Sequence, residues 1–445
     1  MCNVRPFCGL RYNLQRINDP STVISPPYDI ISPEERLLYH SSSPYNIVRL
    51  ESSEEQPGDA PENNKYTRAA ATLDQWLQEG ILVRESEPAM YVIEHRFTHG
   101  DIERSRLGLI ARVRLEEFES GWIRPHERTK REPSVDRLNL LRACRANTSP
   151  IMGLAGTENG ELLKLLRELV DGEPFINAGG GDNTTCRMWI ITGSLAMEEI
   201  LSFFAGRVIY IADGHHRYKT ALRYRQEQRA ARSSTTGDEP FNYIMMSLMD
   251  SSDPALAMLP IHRLLRAQEP DRTARLEKNI SPFFHTDELL PPLATPSETV
   301  NGWLHTLEIR KRDGAVIGLY GLHGHNLCLL KLREDADLKS LMSEEELKLW
   351  RNSGVVLLQR IILQKALGID TPELEAGYLE YYLDALEAKT RVDSGEYRLA
   401  FLLNPVPVSH VLETASAGLV LPRKSTYFHP KTPAGLVINP VWDEA

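Results

Sequence analysis

The stretch VIYIADGHHRYKTALRYR, residues 208–225, decides how the first half of the chain folds. Its apolar start predicts a β-strand, Asp213-Gly214 predicts a tight turn, and the residues that follow have a helical pattern. A strand that turns directly into a helix leaves backbone N–H groups at the helix start, where the helix dipole favours an anion. Gly214 allows the sharp turn and a close approach of a ligand to the backbone.

The first turn of this predicted helix carries three side chains that can bind phosphate. Arg217 offers a permanently charged planar fork, and His215 and His216 can donate or accept hydrogen bonds. The dipole alone contributes only about 0.3–1 kcal/mol, so the arginine has to supply much of the remainder. We therefore predict that Asp213, Gly214 and these three residues bind the phosphates of a nucleotide. The alternative is an ordinary helix in which Asp213 is the N-cap and the histidines are solvated.

Composition limits the class of protein. The length of 445 residues predicts two or three domains. Lys and Arg number 51 and Asp and Glu 61, and this net charge of −10 makes nucleic acid an unfavourable partner. The five cysteines are scattered without CxxC spacing, which favours reduced thiols. No apolar run approaches the roughly 20 residues of a membrane span, so we expect a cytoplasmic protein that does not bind membranes.

Strand and helix patterns alternate irregularly along the chain. AMYVIEHRF and RLGLIARVRL flank THGD and predict a strand pair, whereas LAMEEILSFFAG predicts a helix. A long helix is expected in SEEELKLWRNSGVVLLQRIILQKAL, with Gly354 as an interruption. The fold class is therefore α+β with a mixed sheet. We place a domain boundary near residues 264–275, which gives a first domain of residues 1–268 and a second α+β domain of residues 269–445.

Two known nucleotide-binding boxes resemble DGHHRYKTA, residues 213–221. They are the Gly-Glu-Arg-Arg box of the ParB partition proteins and the Gly-Cys-His-Arg box of the sulfiredoxins. Gly214 and Arg217 occupy positions shared by both, and His216 matches the sulfiredoxin histidine. His215 stands where sulfiredoxins have their catalytic cysteine, which argues against sulfinic-acid reduction. The resemblance implies a ParB/sulfiredoxin-like mixed sheet with helices in the first domain.

Further motifs extend the resemblance from Arg5 to about Val437. Together they resemble the domain-of-unknown-function 1015 family, and the stretches that carry the likeness are SPPYDIISPEE, HERT, NTSPIMGLA, IADGHHRYKTAL, LPIHRLL and LPRKSTYFHPKTPAGLV. This family is similar to free-serine kinases, which use ADP or ATP. The likeness implies a nucleotide and a small molecule as partners.

A polar cluster with two prolines lies near the N-terminus, in SPPYDIISPEER, residues 25–36. Ser32 and Glu35 fit a helix capping box, with Pro33 at the first helical position. Asp29 has no such structural role. It could bind Mg²⁺ or a substrate amine, and an ordinary turn aspartate is the alternative.

A second polar cluster contains HERT and the lysine after it. Glu127 or His126 is a candidate general base for an alcohol, and Thr129 and Lys130 are candidate phosphate contacts. A solvated charged loop is the competing interpretation.

Two other segments carry candidate ligands. Asp250 follows the predicted strand FNYIMMSLM and is a candidate Mg²⁺ ligand or a turn former. In the Pro- and Lys-rich arm, residues 421–437, Lys424, Ser425 and Thr426 could reach a phosphate. Packing of this arm on the first domain is the favoured interpretation, because Tyr427 and Phe428 are apolar anchors.

The leading functional hypothesis is a nucleotide-dependent phosphotransferase, a kinase of a small hydroxyl metabolite such as free serine. ATP or ADP would be the phosphoryl donor, Mg²⁺ would be held by Asp29 or Asp250, and Glu127, oriented by His126, would deprotonate the acceptor. The alternatives are a nucleotide-binding regulatory module without kinase activity and a phosphatase or NTPase that uses the same residues. The sequence leaves the oligomeric state open, including a homo-oligomer.

Overall fold

The computed structural model describes residues 3–127, 135–157, 159–180, 184–266 and 273–442. These residues form an α+β fold with a mixed sheet and many helices, as the sequence predicts. They divide into two compact units. The first contains the described parts of residues 1–125, 129–257 and 428–445, and the second those of residues 126–128 and 258–427.

The described strands, in chain order, are β1 (Val4–Arg5), β2 (Leu10–Tyr12), β3 (Leu82–Arg84), β4 (Met90–His99), β5 (Ile102–Arg114), β6 (Ile123–Arg124), β7 (Ala146–Asn147), β8 (Ile151–Ala155), β9 (Ile176–Gly179), β10 (Thr185–Ile191), β11 (Ile209–Asp213), β12 (Tyr243–Asp250), β13 (Ala257–Met258), β14 (His262–Arg266), β15 (Phe284–Leu290), β16 (Val316–His323), β17 (Asn326–Leu332), β18 (Leu379–Tyr382), β19 (Tyr397–Leu402), β20 (Phe428–His429) and β21 (Asn439–Pro440).

The described α-helices are α1 (Pro33–Ser42), α2 (Val48–Glu51), α3 (Lys65–Gln78), α4 (Val135–Cys144), α5 (Glu161–Leu169), α6 (Ser194–Phe204), α7 (His215–Ala230), α8 (Leu276–Ile280), α9 (Pro296–Arg310), α10 (Glu344–Trp350), α11 (Gly354–Leu357), α12 (Pro372–Tyr378), α13 (Ala385–Asp393) and α14 (Val408–Ser416). A π-helix spans Leu358–Ala366, and short 3₁₀ turns cover Pro20–Thr22, Phe118–Ser120, Pro240–Asn242 and Lys311–Asp313.

A mixed sheet organises the first unit. Nine of the described strands belong to it, in the order β6-β11-β8-β12-β5-β4-β10-β9, with β1 paired to β5. β11 runs parallel to β6, and β12 runs parallel to β8, while the other pairs are antiparallel. The predicted strand pair around THGD is β4 with β5. Because β11 and β8 are antiparallel, the end of β11 lies beside the start of β8.

Helix α7 is fixed on this sheet by its buried face. Tyr218, Ala221 and Leu222 are buried in the same apolar cluster as Ile209 and Ile211 of β11. The Tyr218 hydroxyl also donates to the backbone oxygen of Glu116 at 2.8 Å. The strand and the helix are therefore both anchored on either side of Gly214, and the turn between them is held in place.

The last segment of the chain, residues 428–442, is part of the first unit. β21 pairs with β7, and Ala434 forms an isolated antiparallel bridge with Ser25. Leu10 forms a second bridge, with Ile438. Three separate stretches of the first unit thus hold this segment through backbone hydrogen bonds.

The second unit contains its own sheet. Six of its described strands pair antiparallel in the order β15-β17-β16-β19-β14-β18, over a core that includes Trp303 and Tyr320. The long helix expected here is interrupted, and the break lies at residues 351–353, directly before Gly354. α10 ends at Trp350, Ser353 is the N-cap of α11, and the chain then continues as the π-helix.

The cysteines and the longest helices within the described residues are distributed over both units. Cys8, Cys144, Cys186 and Cys328 are buried, and no disulfide joins cysteines within the described residues. Among the helices of the described chain, none combines the length and apolar character needed to cross a bilayer.

Candidate functional site

The turn between β11 and α7 has the backbone geometry that the glycine predicted. Gly214 is the N-cap of the 16-residue helix and adopts φ 90° and ψ 25°, in the left-handed region that favours glycine. As the N-cap residue, Gly214 offers no side chain to the first backbone N–H groups of the helix. Asp213 ends the strand instead of acting as the N-cap, so the alternative prediction for this residue is wrong in that respect.

Arg217 lies over the turn. One guanidinium nitrogen donates to Asp213 Oδ2 at 2.9 Å, and the other donates to the Pro150 carbonyl oxygen at 2.8 Å and to Ser149 Oγ at 3.1 Å. A Cβ atom placed on Gly214 would meet this guanidinium at 3.1 Å. The cation is therefore beside the turn, as expected, but it already has three acceptors.

A second cation, which sequence reasoning did not include, contacts the same carboxylate. Lys431 Nζ donates to Asp213 Oδ1 from the C-terminal segment. The Lys431 side chain is only 7% exposed and that of Asp213 16%. Burial alone would raise the pKa of Asp213, but Lys431 and Arg217 hold that pKa well below its usual range.

The two histidines differ in environment. His215 is 4% exposed, and burial lowers its pKa to about 3, although Asp213 opposes this shift. Its imidazole is therefore neutral at pH 7 and adds no positive charge to the turn. His216 is half-buried, and its backbone oxygen accepts a hydrogen bond from Thr220 Oγ1 at 2.9 Å.

Arg217 also lines a cleft of the first unit. The enclosed volume of this cleft is about 50 Å³, enough for a few water-sized groups, and it opens to solvent. The polar side chains that line it are Tyr28, Glu51, Arg137, Asn147, Thr148, Ser149, Arg217 and Thr220. Arg137 stacks its guanidinium on the ring of Tyr28, with 4.1 Å between the guanidinium carbon and the ring centroid. The cleft wall therefore contains two arginines, Arg137 and Arg217.

Glu51 is the buried carboxylate of this cleft, and it is 2% exposed. Thr148 Oγ1 donates to its Oε1 at 2.6 Å, and Arg137 Nη1 lies 3.5 Å from its Oε2. Burial raises the pKa of Tyr28 to about 12, and Arg217 opposes the increase. Arg137 also donates to Asp136 Oδ2, at 2.6 and 2.8 Å, and to the backbone oxygen of Glu51, at 2.8 Å. Asp136 and Glu51 together therefore fix the position of Arg137, and Tyr28 stays protonated.

Asp29 lies in the turn from Pro27 to Ile30, and it is exposed. Burial alone would lower the pKa of Arg217. The carboxylate of Asp213 and, to a smaller extent, that of Asp29 raise this pKa above its ordinary value. Asp29 is thus close enough to the turn at Gly214 to act on Arg217. Ser32 and Glu35 form the expected capping box of α1, which leaves Asp29 available for another role.

The described residues of the second polar cluster, His126 and Glu127, lie in the second unit. His126 is fully buried, with its Nε2 2.9 Å from Thr426 Oγ1, and Glu127 Oε1 accepts the backbone N–H of Lys424 at 3.0 Å. Both side chains thus contact the Pro- and Lys-rich arm. Thr129 and Lys130 lie outside the described residues. The catalytic roles of His126 and Glu127 and the phosphate contacts of the other two stay predictions.

Asp250, the other candidate Mg²⁺ ligand, is 1% exposed and its oxygens are used by the fold. Oδ2 accepts the backbone N–H groups of Leu162 and Leu163, and Oδ1 accepts hydrogen bonds from Ser252 and Thr157. The carboxylate therefore caps the start of α5. Within the described residues, His, Cys, Asp and Glu form no group of three or more that could hold a metal ion.

Sequence reasoning missed Glu51, Arg137 and Lys431 as members of this region. Thr148 and Ser149 lie in NTSPIMGLA and Lys431 in the C-terminal motif, so the family resemblance marked their stretches without assigning them a role. No sequence motif pointed to Glu51 or Arg137, because only their tertiary contacts with each other and with Tyr28 place them in the cleft.

A family model described as "Protein of unknown function (DUF1015)" matches residues 4–353. This is the family that the quoted motifs resemble. No curated protein matches the chain.

Several solved structures resemble the chain at low similarity. A free serine kinase in complex with AMP is 12% identical, covers 72% of this chain and 86% of its own, and has a TM-score of 0.34. A conserved hypothetical protein from Pyrococcus furiosus is 13% identical, with coverages of 74% and 93% and a TM-score of 0.34. SbnI from Staphylococcus aureus, with a C-terminal truncation, is 10% identical, with coverages of 73% and 84% and a TM-score of 0.32. These scores are too low to support an argument about function.

Proposed function

The chain belongs to the DUF1015 family, and we propose that it binds a nucleotide through its phosphates and transfers a phosphoryl group to the hydroxyl of a small metabolite. One observation carries the proposal. A left-handed glycine is the N-cap of a 16-residue helix, and two cations, Arg217 and Lys431, contact the carboxylate of Asp213 directly before it. Backbone N–H groups, the helix dipole and these cations all favour a phosphate.

The cleft next to the turn supports the transfer step. Phosphoryl transfer depends mainly on positioning and on stabilisation of negative charge, which guanidinium groups provide. Arg217 is at the turn, and Arg137, which also lines the cleft, is held by Asp136, by the backbone oxygen of Glu51 and by the ring of Tyr28. A ligand that extends from the turn into the cleft would pass both arginines.

Asp29 is the carboxylate that we propose as general base. It is exposed, and no hydrogen bond of its carboxylate to another described residue competes with a substrate. Glu127 remains the second candidate, although its carboxylate accepts the Lys424 N–H. A base within hydrogen-bond distance of the acceptor hydroxyl contributes roughly 10²–10⁴-fold to the rate.

Mg²⁺ fits this site as an ion carried by the nucleotide. Mg²⁺ usually takes one or two carboxylates and completes its shell with phosphate oxygens and water. Asp250 offers no free oxygen to the ion, because its oxygens cap α5, and Asp29 is reserved here for the role of base. When bound, the ion would neutralise charge on the phosphates, while the chain's own residues position them.

The proposal is tested by binding and product formation with the purified full chain. Isothermal titration with ATP, ADP and AMP, with and without Mg²⁺, measures binding, and mass spectrometry detects phosphorylated acceptor. Serine is the first acceptor to try, because the family that the motifs resemble is similar to free-serine kinases, and other hydroxy metabolites follow. We expect nucleotide binding and a phosphorylated product.

Variants separate the two candidate bases. Asp29→Asn should keep nucleotide affinity and lower turnover at least about 100-fold, whereas Glu127→Gln should keep both. Asp171→Asn, which removes an exposed acid of the first unit, is the matched control. The opposite outcome would assign the role to Glu127. Binding without a product in any acceptor would refute phosphotransfer and leave a nucleotide-binding module, and phosphate release without acceptor would indicate a hydrolase.

A further inference from the structure

The C-terminal segment, residues 428–442, runs along the proposed nucleotide site. Ala434 exchanges backbone hydrogen bonds with Ser25, at 3.3 and 2.8 Å, three residues before Tyr28. Gly435 donates its N–H to the backbone oxygen of Thr148, which lines the cleft. The segment is therefore attached to two of the stretches that form the cleft wall.

Lys431 is the residue of this segment that reaches the turn. Its side chain is buried and donates to Asp213 Oδ1, across 218 residues of sequence. The neighbouring Thr432 donates from its buried hydroxyl to Ser247 Oγ at 3.1 Å, which fixes the backbone beside the lysine. A buried lysine held in this way has a defined position, unlike a mobile surface lysine.

The charge at the turn depends on this lysine. Among the three groups in direct contact, Arg217 and Lys431 carry +1 each and Asp213 carries −1, so their sum is +1. Without Lys431 the sum is zero, because Asp213 would cancel Arg217. His215 does not change this sum, since its buried imidazole is neutral at pH 7. An anionic ligand would then meet a neutral ion pair in place of a cationic site.

We propose that the C-terminal segment is a component of the nucleotide site, and that Lys431 is the positioning residue that offsets Asp213 so that nucleotide phosphates can bind at Gly214. This inference rests on the proposed function. It goes further by assigning the cationic character of the turn to a segment that lies outside the residues matched by the family model.

The test compares four variants of the full chain by titration with ADP at several salt concentrations. Lys431→Met should weaken ADP binding by roughly tenfold or more and should flatten its salt dependence, because one net charge is lost. Lys431→Arg should restore most of the affinity. Lys164→Met, which removes an exposed lysine of the same unit, should bind as the wild type does. Asp213→Asn added to Lys431→Met returns the sum to +1 and should recover affinity.

A structural role for Lys431 gives different results. If the lysine only holds the segment in place, its loss would lower the melting temperature without changing the salt dependence of ADP binding, and Asp213→Asn would not restore affinity. If Lys431→Met does not fold, the effect of the lysine is measured in the Asp213→Asn background. The summed charge of the three groups is then +2 in Asp213→Asn and +1 in the double variant, so the double variant should bind ADP less tightly.

The two proposals fail separately. Wild-type protein that binds no nucleotide would overturn the proposed function and this inference together. Wild-type protein that binds ADP while Lys431→Met binds equally well, with the same salt dependence, would overturn this inference alone.

Discussion

Replacing Asp250 by alanine decides whether this carboxylate serves the fold or a metal ion. The sequence places it at the end of a strand, where ligand-facing acids often lie, but in the structure it is buried and caps α5. Its Oδ2 accepts the N–H groups of Leu162 at 3.0 Å and Leu163 at 3.2 Å. Asp250→Ala would leave both amides without this acceptor inside the first unit.

The size of the effect follows from these contacts. Loss of an N-cap acceptor costs about 0.5–2 kcal/mol, and hydrogen bonds to a charged group contribute about 1.5–3 kcal/mol each when measured singly. Because such contributions are not additive and the hydroxyls of Ser252 and Thr157 can turn to water, we expect a total of about 2–4 kcal/mol. Asp250→Asn keeps one carbonyl oxygen for the helix start and should cost about half as much.

Hydrogen exchange is the suitable assay, since two units need not unfold in one transition. The amides of Leu162 and Leu163 should lose protection by roughly 30- to 1000-fold in Asp250→Ala, at about 1.4 kcal/mol per factor of ten. Asp171→Ala, which removes an exposed acid after α5, should change protection by less than about threefold.

Two results would refute this reasoning. Unchanged protection of α5 in Asp250→Ala would show that the carboxylate does not cap the helix. A wild-type protein that Mg²⁺ stabilises in the absence of nucleotide, with the effect lost in Asp250→Ala and intact in Asp171→Ala, would return Asp250 to the role of metal ligand.

Two further predictions concern the turn. Gly214→Ala should destabilise the first unit by about 1–3 kcal/mol in denaturant titrations, because φ is 90° and the new Cβ would meet Arg217 and Ile151 at 3.1 Å. Gly377→Ala in α12, where no atom lies within 4 Å of the new Cβ, should stabilise by about 0.5–1 kcal/mol, and equal effects would contradict the argument. His215 should make the protein acid-sensitive. Burial lowers the pKa of its imidazole to about 3 in the folded state, whereas in the unfolded chain that pKa is about 6.5. The unfolded state therefore takes up the proton first, and the free energy of unfolding falls as the pH drops from about 6.5 toward 3. His215→Gln should lose less melting temperature between pH 7 and pH 4 than the wild type, and equal losses would be evidence against this account.

Local patterns determine the elements around the candidate site. The apolar run before Asp213, the glycine and the helical periodicity after it predict β11, the turn and α7, because each depends on residues that are neighbours in sequence. The same holds for the capping box at Ser32 and for the strand pair β4–β5. The family also follows from motifs that can be read without a structure.

Asp213 and Arg217 are four residues apart and pair locally, whereas the other partners of the charged groups at this turn follow from the tertiary fold. Arg217 meets Ser149 and Pro150 because β8 lies antiparallel beside β11, and Lys431 reaches Asp213 from 218 residues away because the C-terminal segment returns to the first unit. A sequence specifies that these side chains are charged, but the net charge of a site depends on which of them are brought into contact. Long-range packing makes that choice, and no local period or spacing encodes it.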